Sequence, residues 1–324
     1  MTRTDLAGRG PGTTRPRRDA TWLVAIAAAL WGTDAIFRLP LAQNTAASTV
    51  VFAEHVILVL ALSPFLLRAF RAFGASPLSI KLAAIGIGVG ASAIATVLFT
   101  LSFRSGDPIT PVVTQKLQPV IAMIGAALLL GERLRPRFAL FAVPALIGAW
   151  LLAFPDPTQV SINRINVALL ALGAATLWAA GTVLGRLASR TIGPLELTTL
   201  RFAFGLPASA AMVAATGSPW WVADLKSTGS VAALALVVGL VAMLLYYRGL
   251  GNTAASRATL AELAFPLTAA VIGILWFDKV LDESQWIGVA LIVVAVTALS
   301  LHETRSRTTA VVDVGERPLV GTSG

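Results

Sequence analysis

Six ionisable residues interrupt stretches of the sequence that are otherwise apolar. They are Asp34, Glu54, His55, Lys116, Arg201 and Glu262. If these stretches lie in lipid, each Lys, Arg or Asp at a helix centre costs about 2.5–3.5 kcal/mol on insertion scales. Such residues normally face a cavity or one another. Each of them is therefore a candidate for binding a polar substrate or for carrying a proton.

The elements that must position these residues are ten long apolar segments. Of the 324 residues, 56% are hydrophobic and 13% are charged, whereas about a quarter are charged in an average soluble domain. A bilayer core about 30 Å thick requires roughly 20 mostly apolar residues per spanning helix, whose backbone must pair internally. We therefore predict an all-α integral membrane protein with ten transmembrane helices, at about residues 21–39, 48–67, 81–102, 108–130, 138–154, 166–185, 195–215, 230–247, 255–276 and 285–301.

Four of the charged residues form a pattern of depth in these predicted spans. At 1.5 Å per residue, Glu54 and Lys116 lie roughly 10–12 Å below the outer surface of the core, and Arg201 and Glu262 roughly 10 Å from the inner surface. We predict two acid–base pairs, Glu54–Lys116 and Arg201–Glu262, on opposite sides of the midplane. Each pair would exchange its partner for substrate, or for a proton on the acid. The alternative is a static pair that only fixes helix register.

Other side chains in the predicted spans are weaker candidates for substrate contact or coupling. They are Asp34, His55, Gln115, Gln118, Trp31 and Trp178. His55 is a possible proton carrier, but it points about 100° around the helix from Glu54. Asp34 either lines the cavity or bonds a neighbouring helix. Tryptophans in membrane helices more often pack or anchor at the interface than bind substrate.

The distribution of Lys and Arg predicts the orientation. If both ends face the cytosol, 18 of the 25 Lys and Arg lie in inner segments and 5 in outer loops, with Arg38 counted in the first outer loop. Positively charged loops stay on the cytoplasmic side, so we predict a multi-pass protein of the cell (inner or plasma) membrane with both termini cytoplasmic. The polar ends, residues 1–20 and 302–324, are predicted to be disordered cytoplasmic tails.

An internal repeat relates the two halves of the chain. Trp31 recurs as Trp178 and Pro119 as Pro266, both 147 residues later. This offset indicates a duplication of five helices, over residues 21–154 and 166–301, and an odd number of helices makes the second copy inverted in the membrane. Pro119 and Pro266 lie at matching depths in spans four and nine, where a proline bends the helix axis.

Three segments carry a resemblance to a known family. They are "ALWGT" in the first span, "QKLQPVIAMIGAALLLGERL" leaving the fourth, and "ELAFPLTAAVIGILWFDKVLDESQWIGVALIVVAVTAL" in the second copy. The chain resembles EamA-type members of the drug/metabolite transporter superfamily over about residues 20–302. The resemblance implies ten helices, a central cavity formed mainly by spans one to four and six to nine, and alternating access. Asp278 departs from it, since the family would place glutamate near this point.

The resulting prediction is a secondary active transporter, or permease, for a small metabolite or drug. Family analogy favours an exporter of amino acids or related amphipathic metabolites. Two alternatives stay open: a carrier of organic anions or phosphorylated metabolites that uses Lys116, and a membrane receptor or scaffold that transports nothing. A coupled proton and a homodimer also stay open as partners, besides the lipid bilayer.

Several classes of activity are disfavoured by the sequence. No HExxH, P-loop or GxSxG motif occurs, so we expect no enzyme activity. The chain has no cysteine and only two histidines, so we expect neither a metal site nor a cofactor. The net charge of +9 comes from arginines that punctuate apolar runs, so we expect no nucleic-acid partner.

Overall fold

The computed structural model describes residues 20–103, 117–131, 136–153, 165–277, 280–295 and 297–298. Within these ranges all regular secondary structure is helical and no strand occurs. The helices of the first half are α1 (Thr21–Gly32), α2 (Asp34–Asn44), α3 (Ala47–Ala61), α4 (Leu66–Ala75), α5 (Leu78–Gly86, a π-helical segment at Ile87–Ile94, and Ala95–Phe103), α6 (Gln118–Leu130) and α7 (Pro136–Ala153).

The second half repeats this order from a long first helix. Its helices are α8 (Ile165–Ala188), α9 (Pro194–Thr216), α10 (Leu225–Ala233, a π-helical segment at Leu234–Val241, and Ala242–Leu250), α11 (Ala255–Ala261), α12 (Ala264–Phe277) and α13 (Glu283–Ala295). A 3₁₀ turn at Ser63–Phe65 links α3 to α4.

Among the described residues, five helices are long and apolar enough to cross a membrane. They are Leu78–Ser102, Ala168–Ala188, Pro194–Thr216, Leu225–Leu250 and Arg257–Trp276. A sixth results if α3 and the segment Ser63–Ala75, which meet at 60°, count as one bent span. The apolar helices Gln118–Leu130, Ala139–Leu151 and Glu283–Ala295 are shorter. The predicted count of ten is therefore not confirmed, although the chain is a multi-pass helical membrane protein.

The first predicted span differs from the structure for a local reason. A turn at Thr33 divides residues 21–44 into α1 and α2, and the Thr33 hydroxyl donates a hydrogen bond to the Leu30 carbonyl at 2.7 Å. A threonine that bonds its own backbone in this way competes with the helical ladder. The helix also continues to Asn44, beyond the predicted end of the span at residue 39.

The duplication is visible in the positions of the helices themselves. Helix α3 begins at Ala47 and α9 at Pro194, while α5 begins at Leu78 and α10 at Leu225, so both pairs are 147 residues apart. The two π-helical segments, Ile87–Ile94 and Leu234–Val241, keep the same offset. A π-helical insertion is rare and often occurs at functional sites, so its recurrence makes a chance match of two apolar halves untenable.

The two halves pack across one another at these π segments. Helix α9 packs against α3 and against the π segment of α5, and α3 packs against the π segment of α10. The close approach of α5 and α9 depends on Gly88, because a Cβ there would lie 2.6 Å from the Cβ of Phe204 and 2.8 Å from the Arg201 carbonyl. Small residues allow such contacts between membrane helices. The buried core around them includes Leu58 and Tyr247.

The two repeat-related prolines lie at helix starts. Pro119 occupies the first turn of α6, where a missing N–H costs nothing. Pro266 follows the break between α11 and α12, and because it has no N–H, the Glu262 carbonyl instead accepts from the Phe265 amide at 3.0 Å. Pro266 therefore lies beside a helix break, and the bend predicted at the two prolines stays a prediction. The residues that precede Leu117 in the predicted fourth span lie outside the described residues.

Candidate functional site

Glu262 occupies the break between α11 and α12, inside an apolar stretch that is long enough to span a membrane. Its Oε1 accepts hydrogen bonds from the hydroxyls of Tyr246 at 2.9 Å and Thr182 at 3.3 Å. Its Oε2 accepts from the Gln118 amide at 3.1 Å. Donors from α6, α8 and α10 therefore converge on one carboxylate.

Among the described residues, the hydrogen-bond partners of the Glu262 side chain are all neutral. Within the described part of the chain no Lys or Arg nitrogen lies within ion-pair distance of it. A membrane carboxylate that is held by hydroxyls and an amide can take up a proton or a substrate ammonium without first losing a salt-bridge partner. It is suited to reversible exchange more than to permanent charge pairing.

An aromatic wall, formed by Trp31 and Tyr246, lies beside this carboxylate. The ring of Trp31 packs on that of Tyr246, with centroids 5.1 Å apart and planes inclined by 50°. The indole belongs to α1 and the phenol to α10, so the wall joins the two halves of the protein. Trp178, the repeat partner of Trp31, instead packs against Phe99 at 4.9 Å, which matches the packing role expected for most tryptophans.

The predicted ion pair between Arg201 and Glu262 is not formed in the described structure. The Arg201 guanidinium is buried and donates from Nη1 to the Tyr247 hydroxyl at 3.1 Å and from Nη2 to the Ala91 carbonyl at 3.0 Å. Similar predicted depth in the membrane therefore did not predict that these two side chains are in contact. The two charges are linked only indirectly, because Tyr247 follows Tyr246 in α10 and their rings lie 5.5 Å apart.

Glu54 has a partner that the sequence did not suggest. Arg38 donates from Nη1 to Glu54 Oε1 at 2.9 Å and from Nη2 to Oε2 at 3.4 Å. The same guanidinium binds Asp34 through Nε at 2.7 Å and Nη2 at 2.9 Å. Arg38 was predicted to lie in an outer loop; this is corrected, because α2 continues through it and turns it inward onto Asp34, one helical turn before it.

The Glu54–Lys116 pair cannot be compared with the structure, since Lys116 and Gln115 lie outside the described residues. The Asp34–Arg38–Glu54 cluster nevertheless supplies both Glu54 oxygens with a cationic partner. Asp278, the predicted departure from the family pattern, is also outside the described ranges.

His55 is fixed on both ring nitrogens. Nδ1 lies 2.7 Å from the Val51 carbonyl and Nε2 lies 3.0 Å from the Ser92 hydroxyl. Its ring also meets Phe202 edge to face at 5.7 Å. These contacts tie α3 to the π segment of α5 and to α9, so the geometry favours a packing role over the predicted role as a proton carrier.

Two residues of these clusters were missed by the sequence reasoning, Arg38 and Thr182. Both carried a signal, because Arg38 is four residues after Asp34 and Thr182 four after Trp178. Residues at this spacing lie on the same helix face.

Two surface pockets lie away from Glu262. One is apolar and lies between α12 and α13. The other is polar, has a volume of about 430 Å³ and lies near Arg190 and Asn252. Glu262 lines neither of them.

Known proteins resemble this chain in fold and in sequence. A solved crystal structure superposes with a TM-score of 0.71 at 20% identity over 88% of this chain and 98% of the other, which shows a shared fold. The chain is 27% identical over 215 residues to the uncharacterized transporter YwfM of Bacillus subtilis, covering 65% of this chain and 70% of YwfM.

A second relative is matched over a longer stretch. The chain is 29% identical over 307 residues to the riboflavin transporter ImpX of Fusobacterium nucleatum, covering 86% of this chain and 96% of ImpX. The model of the EamA-like transporter family matches twice, over residues 20–154 and 165–301. These two matches cover most of the chain and repeat within it, and the protein therefore belongs to the EamA-like transporter family.

Proposed function

We propose that this protein is a proton-coupled secondary transporter that moves a small amphipathic metabolite across the cytoplasmic membrane by alternating access. The observation that carries the proposal is the carboxylate of Glu262, which lies at a helix break within an apolar span and is held by three neutral donors. A charge at a helix centre costs about 2.5–3.5 kcal/mol in the bilayer, and protonation removes that cost.

The exchange at Glu262 has a simple physical cycle. When the site opens to one side, water solvates the carboxylate and its proton leaves, or a cationic group of the substrate replaces it. When the site closes, water is expelled and the neutral or paired state is favoured. The carboxylate thereby links occupancy to the position of the surrounding helices. Because its donors come from α6, α8 and α10, relative movement of these helices would change its hydrogen bonds directly.

The substrate class that we favour is an amino acid or a related amphipathic metabolite. The Trp31–Tyr246 wall gives an apolar surface, and the carboxylate beside it accepts an ammonium group. We also propose the topology predicted from the sequence: ten helices in two inverted repeats, residues 21–154 and 166–301, with both termini cytoplasmic and export as the direction. Homodimer formation is left to direct measurement.

A flavin-like substrate is the second candidate. The relative ImpX carries the name riboflavin transporter and matches 86% of this chain. A flat heteroaromatic ring could stack on Trp31, and its polar edge could pair with Glu262 and Gln118. This candidate differs from the first because riboflavin is uncharged at the relevant groups, so its recognition needs hydrogen bonds and stacking only.

The test is counterflow in proteoliposomes that contain the full-length protein, with an amino acid panel and riboflavin as tracers. The variant is Glu262→Gln, whose amide nearly preserves the shape of the side chain and can keep the hydrogen bonds if Gln118 turns its own amide over. Counterflow should persist, but accumulation driven by a pH gradient should be lost. For one proton per substrate, the wild type should accumulate about tenfold per pH unit, and the variant should not exceed equality.

Glu196→Gln is the matched control, since Glu196 is also buried but is paired with Arg68 at 2.5 Å. The control should keep proton-driven accumulation. If Glu262→Gln accumulates substrate as strongly as the wild type, Glu262 is not the proton site. If neither tracer class exchanges in the wild type, the result favours the receptor or scaffold alternative over the transporter proposal.

A further inference from the structure

The guanidinium of Arg201 is a buried cation with incomplete partners. Only 8% of the residue is exposed, and its Nη1 and Nη2 donate to the Tyr247 hydroxyl and the Ala91 carbonyl. Its Nε is buried and finds no acceptor within the described part of the chain. No Asp or Glu in those ranges forms an ion pair with it.

This arrangement is unusual because a buried charge is normally both paired and fully hydrogen-bonded. A structural role explains only part of it. The contact with Ala91 secures a carbonyl in the π segment of α5, which a neutral donor such as glutamine could do equally well. It does not explain why the group is positively charged or why Nε lacks an acceptor. A ligand that supplies negative charge and two acceptor oxygens would explain both.

We propose that Arg201 binds the carboxylate of the transported substrate, a proposal that rests on the transport function given above. Nε–H and an Nη–H of arginine can grip the two oxygens of a carboxylate in a fork. One guanidinium balances a monoanion, whereas a phosphate monoester brings up to two negative charges. His55 is a titratable neighbour of Arg201 among the described residues, but its two ring nitrogens face the Val51 carbonyl and the Ser92 hydroxyl. It therefore offers no second charge to a phosphate, and the site suits a carboxylate better.

The position of Arg201 relative to the proton site supports this assignment. Tyr247 binds Arg201 and its neighbour Tyr246 binds Glu262, so adjacent residues of α10 touch the two uncompensated charges. A substrate with a carboxylate at one end and an amine at the other meets complementary groups along this path. The carboxylate would meet the edge of the guanidinium that carries Nε, while Nη1 keeps the Tyr247 hydroxyl, which links substrate binding to α10.

Access to Arg201 requires movement of the helices. Its Nε is buried, and α9 lies directly against the π segment of α5 near Gly88. A carboxylate therefore reaches the fork only in a conformation in which this contact has opened. The conformation described here is thus closed around the guanidinium, as one state of an alternating-access cycle should be.

The experiment compares two probes that differ only in charge, 3-phenylpropionate and 3-phenylpropanamide. Binding to the purified full-length protein in detergent is followed by thermal shift at constant ionic strength: the carboxylate replaces an equal amount of chloride, and the neutral amide is added with chloride unchanged. The wild type should be stabilised saturably by the carboxylate and not by the amide. Arg201→Gln should weaken the carboxylate Kd at least tenfold, while Arg201→Lys, which keeps the charge but loses the fork, should recover part of it.

Two further variants separate binding from a general structural effect. Tyr247→Phe removes the acceptor of Nη1 and leaves more of the positive charge uncompensated. It should therefore tighten the carboxylate Kd severalfold, an increase that a purely structural arginine would not produce. Arg248→Gln removes an exposed arginine from the same helix and should leave the Kd unchanged.

The proposal is overturned if the wild type does not distinguish the carboxylate from the amide, or if Arg201→Gln binds the carboxylate as tightly as the wild type. It is also overturned if Tyr247→Phe and Arg201→Lys leave the Kd unchanged, which decides the matter even if Arg201→Gln fails to fold. Counterflow by the wild type separates this failure from failure of the transporter proposal: if a tracer exchanges while binding does not distinguish the carboxylate from the amide, the carboxylate site is refuted and transport is retained.

Discussion

Arg38→Met removes the cation between Asp34 and Glu54 and leaves two carboxylates side by side within the helical bundle. Three of the four hydrogen bonds that the guanidinium makes to them are 2.9 Å or shorter. The side chains of Arg38 and Glu54 are 13% and 11% exposed, and that of Asp34 is 23% exposed. Water can therefore do little to replace the lost partner at Glu54, and somewhat more at Asp34.

The expected cost follows from this burial. Removing one partner of a buried ion pair costs about 3–5 kcal/mol because the other charge is left uncompensated. The value should lie near the lower end of that range, since Asp34 can be partly hydrated. Adding Glu54→Gln to Arg38→Met removes the more buried carboxylate. The double variant should then recover more than half of the loss, and the coupling in the double-mutant cycle should be about 2–3 kcal/mol.

The assay is equilibrium unfolding of the purified protein in mild detergent, titrated with a denaturing detergent and followed by circular dichroism. Arg68→Met is the matched control. Arg68 pairs with Glu196 at 2.5 Å, but its side chain is 73% exposed, and exposed ion pairs contribute about 0–1 kcal/mol. If Arg38→Met costs no more than Arg68→Met, or if Glu54→Gln gives no recovery, Asp34, Arg38 and Glu54 do not form a stabilising buried ion network.

Two further predictions concern a helix contact and a helix cap. Gly88→Val should destabilise the protein by about 3 kcal/mol, at the upper end of overpacking costs. The reason is that its Cβ would lie 2.8 Å from a backbone carbonyl of α9. A Cβ at Gly74 would have nothing within 4 Å, so Gly74→Val should cost far less in the same unfolding assay. The hydroxyl and amide of Ser227 hold the pKa of Asp224 below its ordinary value of 3.8, which stabilises the fold above that pH. Asp224→Ala should therefore lower the melting temperature at pH 7, with a difference that shrinks as the pH falls below 3.8, and a difference independent of pH would contradict the cap.

The repeat could be predicted from the sequence because it depends on position along the chain. Trp31 and Trp178 fixed an offset of 147 residues, and the starts of α3 and α9 and of the two π segments follow the same offset. The π geometry itself had no sequence signal, because both segments are mainly apolar and contain glycine. Ordinary membrane helices have the same composition. Apolar composition identifies the segments that can cross a membrane, but it does not distinguish the hydrogen-bond pattern of a π-helix from that of an α-helix.

Partners of the charged residues could not be predicted because depth is only one of the coordinates that determine contact. Arg201 and Glu262 lie at similar predicted depths, yet they face different neighbours, the π segment of α5 and the cluster of Thr182 and Gln118. Which helices are adjacent, and how each is rotated about its axis, is decided by packing of apolar surfaces that many arrangements satisfy equally. Arg38 was missed for another reason: it was counted in the first outer loop, although the helix continues through it to Asn44.

The contrast between Glu54 and Arg201 connects the fold with transport. Each is the eighth residue of its helix, α3 or α9, and the two are 147 residues apart, so the duplication gives them equivalent positions. In the first half the charge is saturated by Arg38, whereas in the second half the guanidinium keeps an Nε without an acceptor among the described residues. A charge that is already neutralised gives stability, and one that is not can respond to a ligand. We infer that the two copies differ in role: the ion-paired Glu54 of the first copy stabilises the bundle, and the Arg201 charge of the second copy is available to a ligand.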